Sequence, residues 1–330
     1  MFETIYNLIS TSQLAAWITL IISFVILAKA ADIFVDNSVH LAEILKIPKL
    51  IIGLVLVSLA TTAPELSVSL VAAINGNPEM ALGNAIGSII CNTTLGLGLC
   101  GLTTIATIKL IPQASKVTLG VLFIVEAFAC FFVFIDKTLS RAEGISLLAI
   151  FFIYIIYLFI SNKNNNEEPK IPHKDYKQKN IFVIIALFII SISFIIFASK
   201  FIVISATSIA YHFHIKEAIV ALTLVALGTS IPEVATCITA ARKGQGDIAV
   251  GNILGANIMN ICWVAGGSAI VNNLSLDSKD IYFMFPIMFV VTIAMVVLIL
   301  NKFTITKKKG AILLSLYIIY MISFFIVYKS

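Results

Sequence analysis

Ala60-Thr61-Thr62-Ala63-Pro64-Glu65 is matched by Gly228-Thr229-Ser230-Ile231-Pro232-Glu233, 168 residues further along the chain. The same offset lays Gly83-Asn84-Ala85-Ile86-Gly87-Ser88-Ile89-Ile90-Cys91-Asn92 onto Gly251-Asn252-Ile253-Leu254-Gly255-Ala256-Asn257-Ile258-Met259-Asn260. Two separate stretches in register at one offset make an internal repeat. Both copies lie inside long apolar runs, so the repeat belongs to the buried part of the chain.

The composition says what buries it. Of 330 residues 60% are hydrophobic and 12% charged, with a mean hydropathy of +1.05, whereas soluble domains are about 25% charged. The fold class read from this is all-α, a polytopic membrane protein. Apolar segments long enough to span a bilayer, about 20 residues each, fall at 14–37, 48–75, 79–106, 115–135, 143–160, 181–209, 216–241, 246–271, 280–300 and 310–328. These ten transmembrane helices divide five and five about one polar stretch, where Asn164-Asn165-Asn166-Glu167-Glu168-Pro169 reads as a flexible linker. The expected organisation is a first five-helix repeat over 1–160, a cytoplasmic linker over 161–180 and a second five-helix repeat over 181–330. An odd number of spans per unit makes the second enter from the opposite side, the inverted repeat of secondary transporters.

With the linker in the cytoplasm, fifteen Lys and Arg fall in the inner loops and five in the outer ones. The positive-inside rule then puts both termini outside. The expected location is the cell (inner or plasma) membrane. The first helix is expected to be retained, because no basic residue precedes Trp17 and no small-residue cleavage site follows the first apolar run. The net charge of +5 is an orientation signal, which leaves no reason to expect a nucleic-acid partner. Cys91, Cys100, Cys130, Cys237 and Cys262 sit in apolar runs without C-x-x-C or Cys/His spacing and read as packing residues.

Pro64 and Pro232 each remove an N–H and displace the carbonyl four residues back, that of Ala60 or Gly228. A broken helix at membrane depth is tolerated where it lines a cavity, and its freed backbone oxygens can coordinate a cation. Glu65 and Glu233 follow the prolines, at a depth where a charged side chain costs at least about 2.5–3.5 kcal/mol. The paired stretches carry no basic residue, so the expected partner is a bound cation, or a proton between ions. Thr61 and Thr229 precede the glutamates by four residues and share their face. Asn84, Ser88 and Asn92 repeat that spacing in the next span, as do Asn252, Ala256 and Asn260. An all-oxygen set suits calcium and sodium, whereas zinc or copper would want His or Cys. Gly83-x-x-x-Gly87 and Gly251-x-x-x-Gly255 let helices approach closely.

These paired stretches resemble the signature repeats of the sodium/calcium exchangers, within the cation/calcium antiporter superfamily. Gly244-Gln245-Gly246-Asp247, leading into Gly251, adds to the likeness. The resemblance covers both halves and the linker position. It implies a prokaryotic-type antiporter whose second, third, seventh and eighth helices hold the ions, while the first and sixth slide across them. It further implies that calcium is bound by Glu65 and Glu233 with the carbonyls of Thr61 and Thr229. Sodium would draw on the same glutamates, the hydroxyls of Thr62, Ser230 and Ser88, backbone oxygens at Ser58 and Ala226, and Asn92 and Asn260. Calcium and sodium are cargo in this reading, and no cofactor is expected.

Three positions depart from the family pattern. Thr62 stands for the usual Ser, keeping the hydroxyl and adding a methyl. Ala256 stands for a Ser, which deprives one sodium site of a side-chain oxygen. Asn260 is neutral where the potassium-dependent branch is acidic, which speaks against potassium co-transport. One Ca²⁺ would neutralise Glu65 and Glu233, whereas three Na⁺ would leave one positive charge, so exchange is expected to be electrogenic. Related cation/proton exchangers use the same paired glutamates, which makes proton-driven exchange the competing reading and a cation channel the next.

Polar residues elsewhere in the spans have plainer readings. Lys29, Asp32 and Asp36 share one face near the inner end of the first helix and are expected to form an ion-paired mouth. Lys200 stands at the repeat position of Asp32 with opposite charge, which excludes a shared ligand role. Glu126 reads as a packing or structural ion-pair residue of the fourth span, and His212 and His214 as surface histidines. Asp32-x-x-x-Asp36 resembles a fragment of the aspartate-rich motif of intramembrane prenyltransferases, but the second such motif is missing. H-E-x-x-H, G-x-S-x-G and the P-loop are missing too, so no enzyme is expected.

Overall fold

A computed structural model of the chain describes residues 12–164, 180–212 and 227–328. The linker lies mostly outside the described residues, as do Ala226 and His214. The first helix, α1 (Gln13–Leu45), starts where the Ser12 hydroxyl accepts the Ala15 N–H (3.3 Å) and stops at Lys46 in the left-handed region (φ 53°). It outruns the apolar segment 14–37, because Asp32, Asp36, His40 and Glu43 end the apolar pattern without ending the helix.

The second span is broken. Helix α2 (Lys49–Thr61) and helix α3 (Ala63–Ile74) meet at a 45° bend, with Thr62 between them and Pro64 in the first turn of α3. Proline is tolerated there, where a helix has N–H groups without partners anyway, so Pro64 starts a new helix as well as interrupting the old one. The chain continues through α4 (Pro78–Thr103), α5 (Pro112–Asp136), α6 (Arg141–Asn164), α7 (Ile181–His212), α8 (Ile231–Arg242), α9 (Gly246–Val271), α10 (Ser278–Leu300) and α11 (Lys307–Tyr328). Among the described residues eight helices are long and apolar enough to cross a membrane, and the pair α2 and α3 makes nine. Of the segment at 216–241 residues 227–241 are described: residues 227–229 are helical, Ser230 is a turn, and α8 then begins, like α3, with a proline in its first turn.

Short antiparallel ribbons close both ends of the bundle. Strand β1 (Ile108–Lys109) pairs with β4 (Thr304–Ile305), and β2 (Thr138–Leu139) with β3 (Leu274–Ser275). Because β1 precedes α5 and β2 follows it, the two ribbons sit at opposite ends of one span. The connections that meet are those which an alternating ten-span path places on the same side.

Local backbone geometry recurs at the offset of 168. Thr62 (φ −79°, ψ −1°) matches Ser230 (φ −84°, ψ −2°), and Asn75 (φ −80°, ψ 5°) matches Lys243 (φ −83°, ψ 2°). The left-handed turn that follows is glycine in both, Gly76 at φ 75° and Gly244 at φ 72°, a conformation that other residues enter at a cost.

Helices α4 and α9 form the centre and are almost wholly buried, whereas the other spanning helices expose a broad apolar face. They are rich in small residues because backbone meets backbone there. A β-carbon added to Gly53 of α2 would lie 2.7 Å from the Ile248 carbonyl oxygen, and one added to Gly251 would lie 2.5 Å from that of Leu50. Each of α4 and α9 also contains a wide π-helical turn, Asn92–Gly96 and Asn260–Ala265, starting at matching residues. Such turns recur at functional sites.

Candidate cation site

The two proline breaks face each other across the centre. Glu65 and Glu233, in the first turns of α3 and α8, are fully buried. Each carboxylate is held by a hydroxyl from the other half of the chain. Thr62 Oγ1 donates to Glu233 Oε1 (3.1 Å), and Ser230 Oγ donates to Glu65 Oε1 (3.3 Å). Oε2 of both glutamates is buried without a protein partner. A buried carboxylate oxygen in that position is stable only if a cation or a proton meets it.

Helices α4 and α9 carry further buried polar atoms. Ser88 Oγ is buried and unpartnered, and neither amide atom of Asn92 or Asn260 has a partner. The two asparagines open the π-helical turns of α4 and α9. The Ala60 carbonyl has lost its helical donor to the Pro64 ring. The Ser58 carbonyl accepts the Thr62 N–H (2.8 Å) and lies 3.3 Å from Thr61 Oγ1, whose single proton has a shorter path to Asn252 Oδ1 (3.1 Å). Ala256 is buried and supplies a methyl where Ser88, its repeat partner, supplies a hydroxyl. Ala226 lies outside the described residues.

The side chains of Thr61 and Thr229 each reach an asparagine of the other half. Thr61 Oγ1 donates to Asn252 Oδ1 (3.1 Å) and Thr229 Oγ1 to Asn84 Oδ1 (3.2 Å). Four asparagines that share one spacing in the sequence therefore divide in two: Asn84 and Asn252 are tied up within the protein, whereas Asn92 and Asn260 are not. Amide spacing gives no signal of that division, nor of the π-helical turns. Among the described residues no group of three or more His, Cys, Asp or Glu converges as a metal site.

The other polar residues settle as follows. Asp32 and Asp36 are ion-paired, with Lys243 at the end of α8 as the cation: its Nζ lies 2.8 Å from Asp36 Oδ1 and 3.5 Å from Asp32 Oδ1. Lys29 is exposed on the same helix. Glu126 is fully buried and accepts from Thr292 Oγ1 (3.0 Å), and its Oε2 has no partner. Cys91, Cys100, Cys237 and Cys262 are buried free thiols and Cys130 is half-buried. His212 is exposed.

The chain matches the model of the sodium/calcium exchanger protein family in two stretches, residues 15–160 and 183–326. It belongs to that family. Similar proteins include the putative antiporter CaxA of Alkalimonas amylolytica, 31% identical over 93% of this chain and 98% of its own length. The inner membrane protein YrbG of Escherichia coli is 34% identical over 80% of this chain and 82% of its own. The sodium/calcium exchanger MaX1 of Methanosarcina acetivorans is 26% identical over 94% and 98%. Among solved structures, the sodium-calcium exchanger NCX_Mj soaked with sodium and strontium superposes with a TM-score of 0.81 at 25% identity, covering 94% of this chain and 99% of that one. Family membership places the protein among multi-pass membrane ion transporters.

Proposed function

We propose that this protein exchanges sodium for calcium across the membrane by alternating access, with Glu65 and Glu233 as the shared carboxylates. The observation that carries the reading is the pair of buried glutamates, each bonded to a hydroxyl of the other half and each with one carboxylate oxygen that has no protein partner. Calcium would be completed by the backbone carbonyls of Thr61 and Thr229. Sodium would use Thr62, Ser230, Ser88, Asn92 and Asn260, with backbone oxygens of Ser58 and Ala226. Were three Na⁺ to replace one Ca²⁺ with both carboxylates staying ionised, one net charge would move per cycle and exchange would be electrogenic.

The same proposal takes residues 1–160 and 181–330 as inverted repeats joined by a cytoplasmic linker at 161–180. Crossed hydrogen bonds and matching backbone angles at one offset support it, and so do ribbons that join connections of one side. Both termini are assigned to the outer face of the cell membrane by the distribution of Lys and Arg. The family's ion-carrying character is the ground for treating the protein as a transporter and not an enzyme.

The test is calcium uptake into proteoliposomes loaded with sodium, with potassium, or under a proton gradient alone. Uptake that requires internal sodium and responds to imposed voltage supports the proposal. Uptake driven by protons alone replaces sodium as the coupling ion, and uptake with no counter-ion makes the protein a channel.

A further inference from the structure

Asn84 and Asn252 stand outside the ligand set, yet each touches both halves of the site. Asn252, on α9, accepts the Thr61 hydroxyl with Oδ1 (3.1 Å) and donates from Nδ2 to the Glu233 carbonyl (3.3 Å). Asn84, on α4, accepts the Thr229 hydroxyl (3.2 Å) and donates to the Glu65 carbonyl (3.3 Å). Both amides are buried, and a buried amide left without partners costs about 1–3 kcal/mol. Their bonds are therefore retained whenever this arrangement forms.

The pattern is crossed. Each asparagine fixes the main chain at the glutamate of its own half and the threonine of the other half. The threonine hydroxyl donates its proton to the asparagine, which ties the threonine of one half to the asparagine of the other. We propose that Asn84 and Asn252 are positioning residues, each of which ties one half of the cation site to the other through its own threonine and so sets the binding geometry. This rests on the exchange reading above.

The two clamps are unequal. Asn84 Nδ2 also donates to Ser69 Oγ (3.0 Å), which in turn donates to the Ala81 carbonyl (3.1 Å). The repeat position of Ser69 is Cys237, whose thiol reaches the Ala249 carbonyl at 3.5 Å, and thiols are weak partners. Asn252 is thus the more weakly held clamp.

The test is a pair of double-mutant cycles on the calcium concentration for half-maximal sodium-driven uptake, with Glu65→Gln in parallel. Thr61→Val and Thr229→Val remove a hydroxyl at nearly constant volume and keep the backbone carbonyl. Asn252→Ala, Asn84→Ala, Thr61→Val and Thr229→Val are each expected to raise that concentration about 3- to 10-fold, the effect of one to two buried hydrogen bonds, with a smaller change in maximal rate. Asn252→Ala combined with Thr61→Val should be no worse than the poorer single variant, whereas Asn252→Ala combined with Thr229→Val should multiply. Should an asparagine variant fail to fold, the valine variants carry the test: Thr61→Val must then raise the half-maximal calcium concentration without lowering the maximal rate equally. Additive effects in both cycles, or coupling of Asn252 to Thr229 in place of Thr61, overturn the proposal while leaving exchange intact. Uptake that survives Glu65→Gln overturns the site reading, and the clamp with it.

Discussion

Gly83 and Gly251 occupy the same place in the repeat and read identically in the sequence, yet replacing them with alanine should have opposite results. A β-carbon at Gly251 would lie 2.5 Å from the Leu50 carbonyl oxygen and 3.1 Å from both the Gly53 Cα and the Leu54 nitrogen. At Gly83 the nearest atom would be Leu276 Cδ2 at 4.0 Å, an ordinary contact. Gly→Ala in a helix contributes about 1 kcal/mol on its own, which Gly83→Ala should realise. At Gly251 the obstacle is backbone, which cannot rotate away, and overpacking of that kind costs about 1–3 kcal/mol. Clearing it means separating α2 from α9 by roughly 0.9 Å, the difference between an ordinary contact and the distance available. The Thr61–Asn252 bond, 3.1 Å long between those helices, would then pass the limit of useful geometry. The assay is thermal unfolding in detergent together with calcium uptake. Gly251→Ala should melt below the parent and need several-fold more calcium, while Gly83→Ala melts at or above the parent with unchanged uptake. Equal melting of the two variants, or unaltered calcium dependence in Gly251→Ala, would refute the close approach of α2 and α9 as the determinant of site geometry.

Three further outcomes concern buried positions in the spans. Ala256→Ser restores a hydroxyl where the other half has Ser88, and should lower the sodium concentration for half-maximal exchange by about 2- to 10-fold, as one added ligand or hydrogen bond allows; sodium-dependence curves that superpose on the parent would show that this position does not face an ion. Glu126→Gln keeps an acceptor for the Thr292 hydroxyl and should leave sodium-driven uptake within about twofold, whereas Thr292→Val strips a buried carboxyl of its partner and should cost about 1–3 kcal/mol in stability, read as a lower melting temperature. Loss of transport in Glu126→Gln would instead make Glu126 part of the ion pathway.

Much of this was legible in the sequence because the physics of a bilayer leaves few choices. Apolar runs locate the spans, Pro64 and Pro232 locate the breaks, and an intramembrane glutamate beside a break demands a counter-charge. The ion-paired mouth was legible too, although its cation is Lys243 and not a residue of α1, since only tertiary structure brings the end of α8 to Asp32 and Asp36. Three features were not legible. The end of α1 lies beyond its apolar run, because backbone hydrogen bonding can continue a helix through residues that are no longer apolar. The GxxxG pairs look alike, but whether a neighbouring backbone fills the space is decided by the packing of α2 on α9. Four asparagines at one spacing look like four ligands, and the hydrogen bonds to Thr61 and Thr229 that remove two of them join residues far apart in the chain.

Direct calcium binding to the purified protein, by equilibrium titration with and without sodium, tests the assignment of Glu65 and Glu233 most closely. The parent should bind calcium and lose it to sodium, and Glu65→Gln and Glu233→Gln should each abolish binding while melting no lower than the parent. Calcium that stays bound in either variant, or that sodium fails to displace, would contradict a site shared by the two ions at these carboxylates.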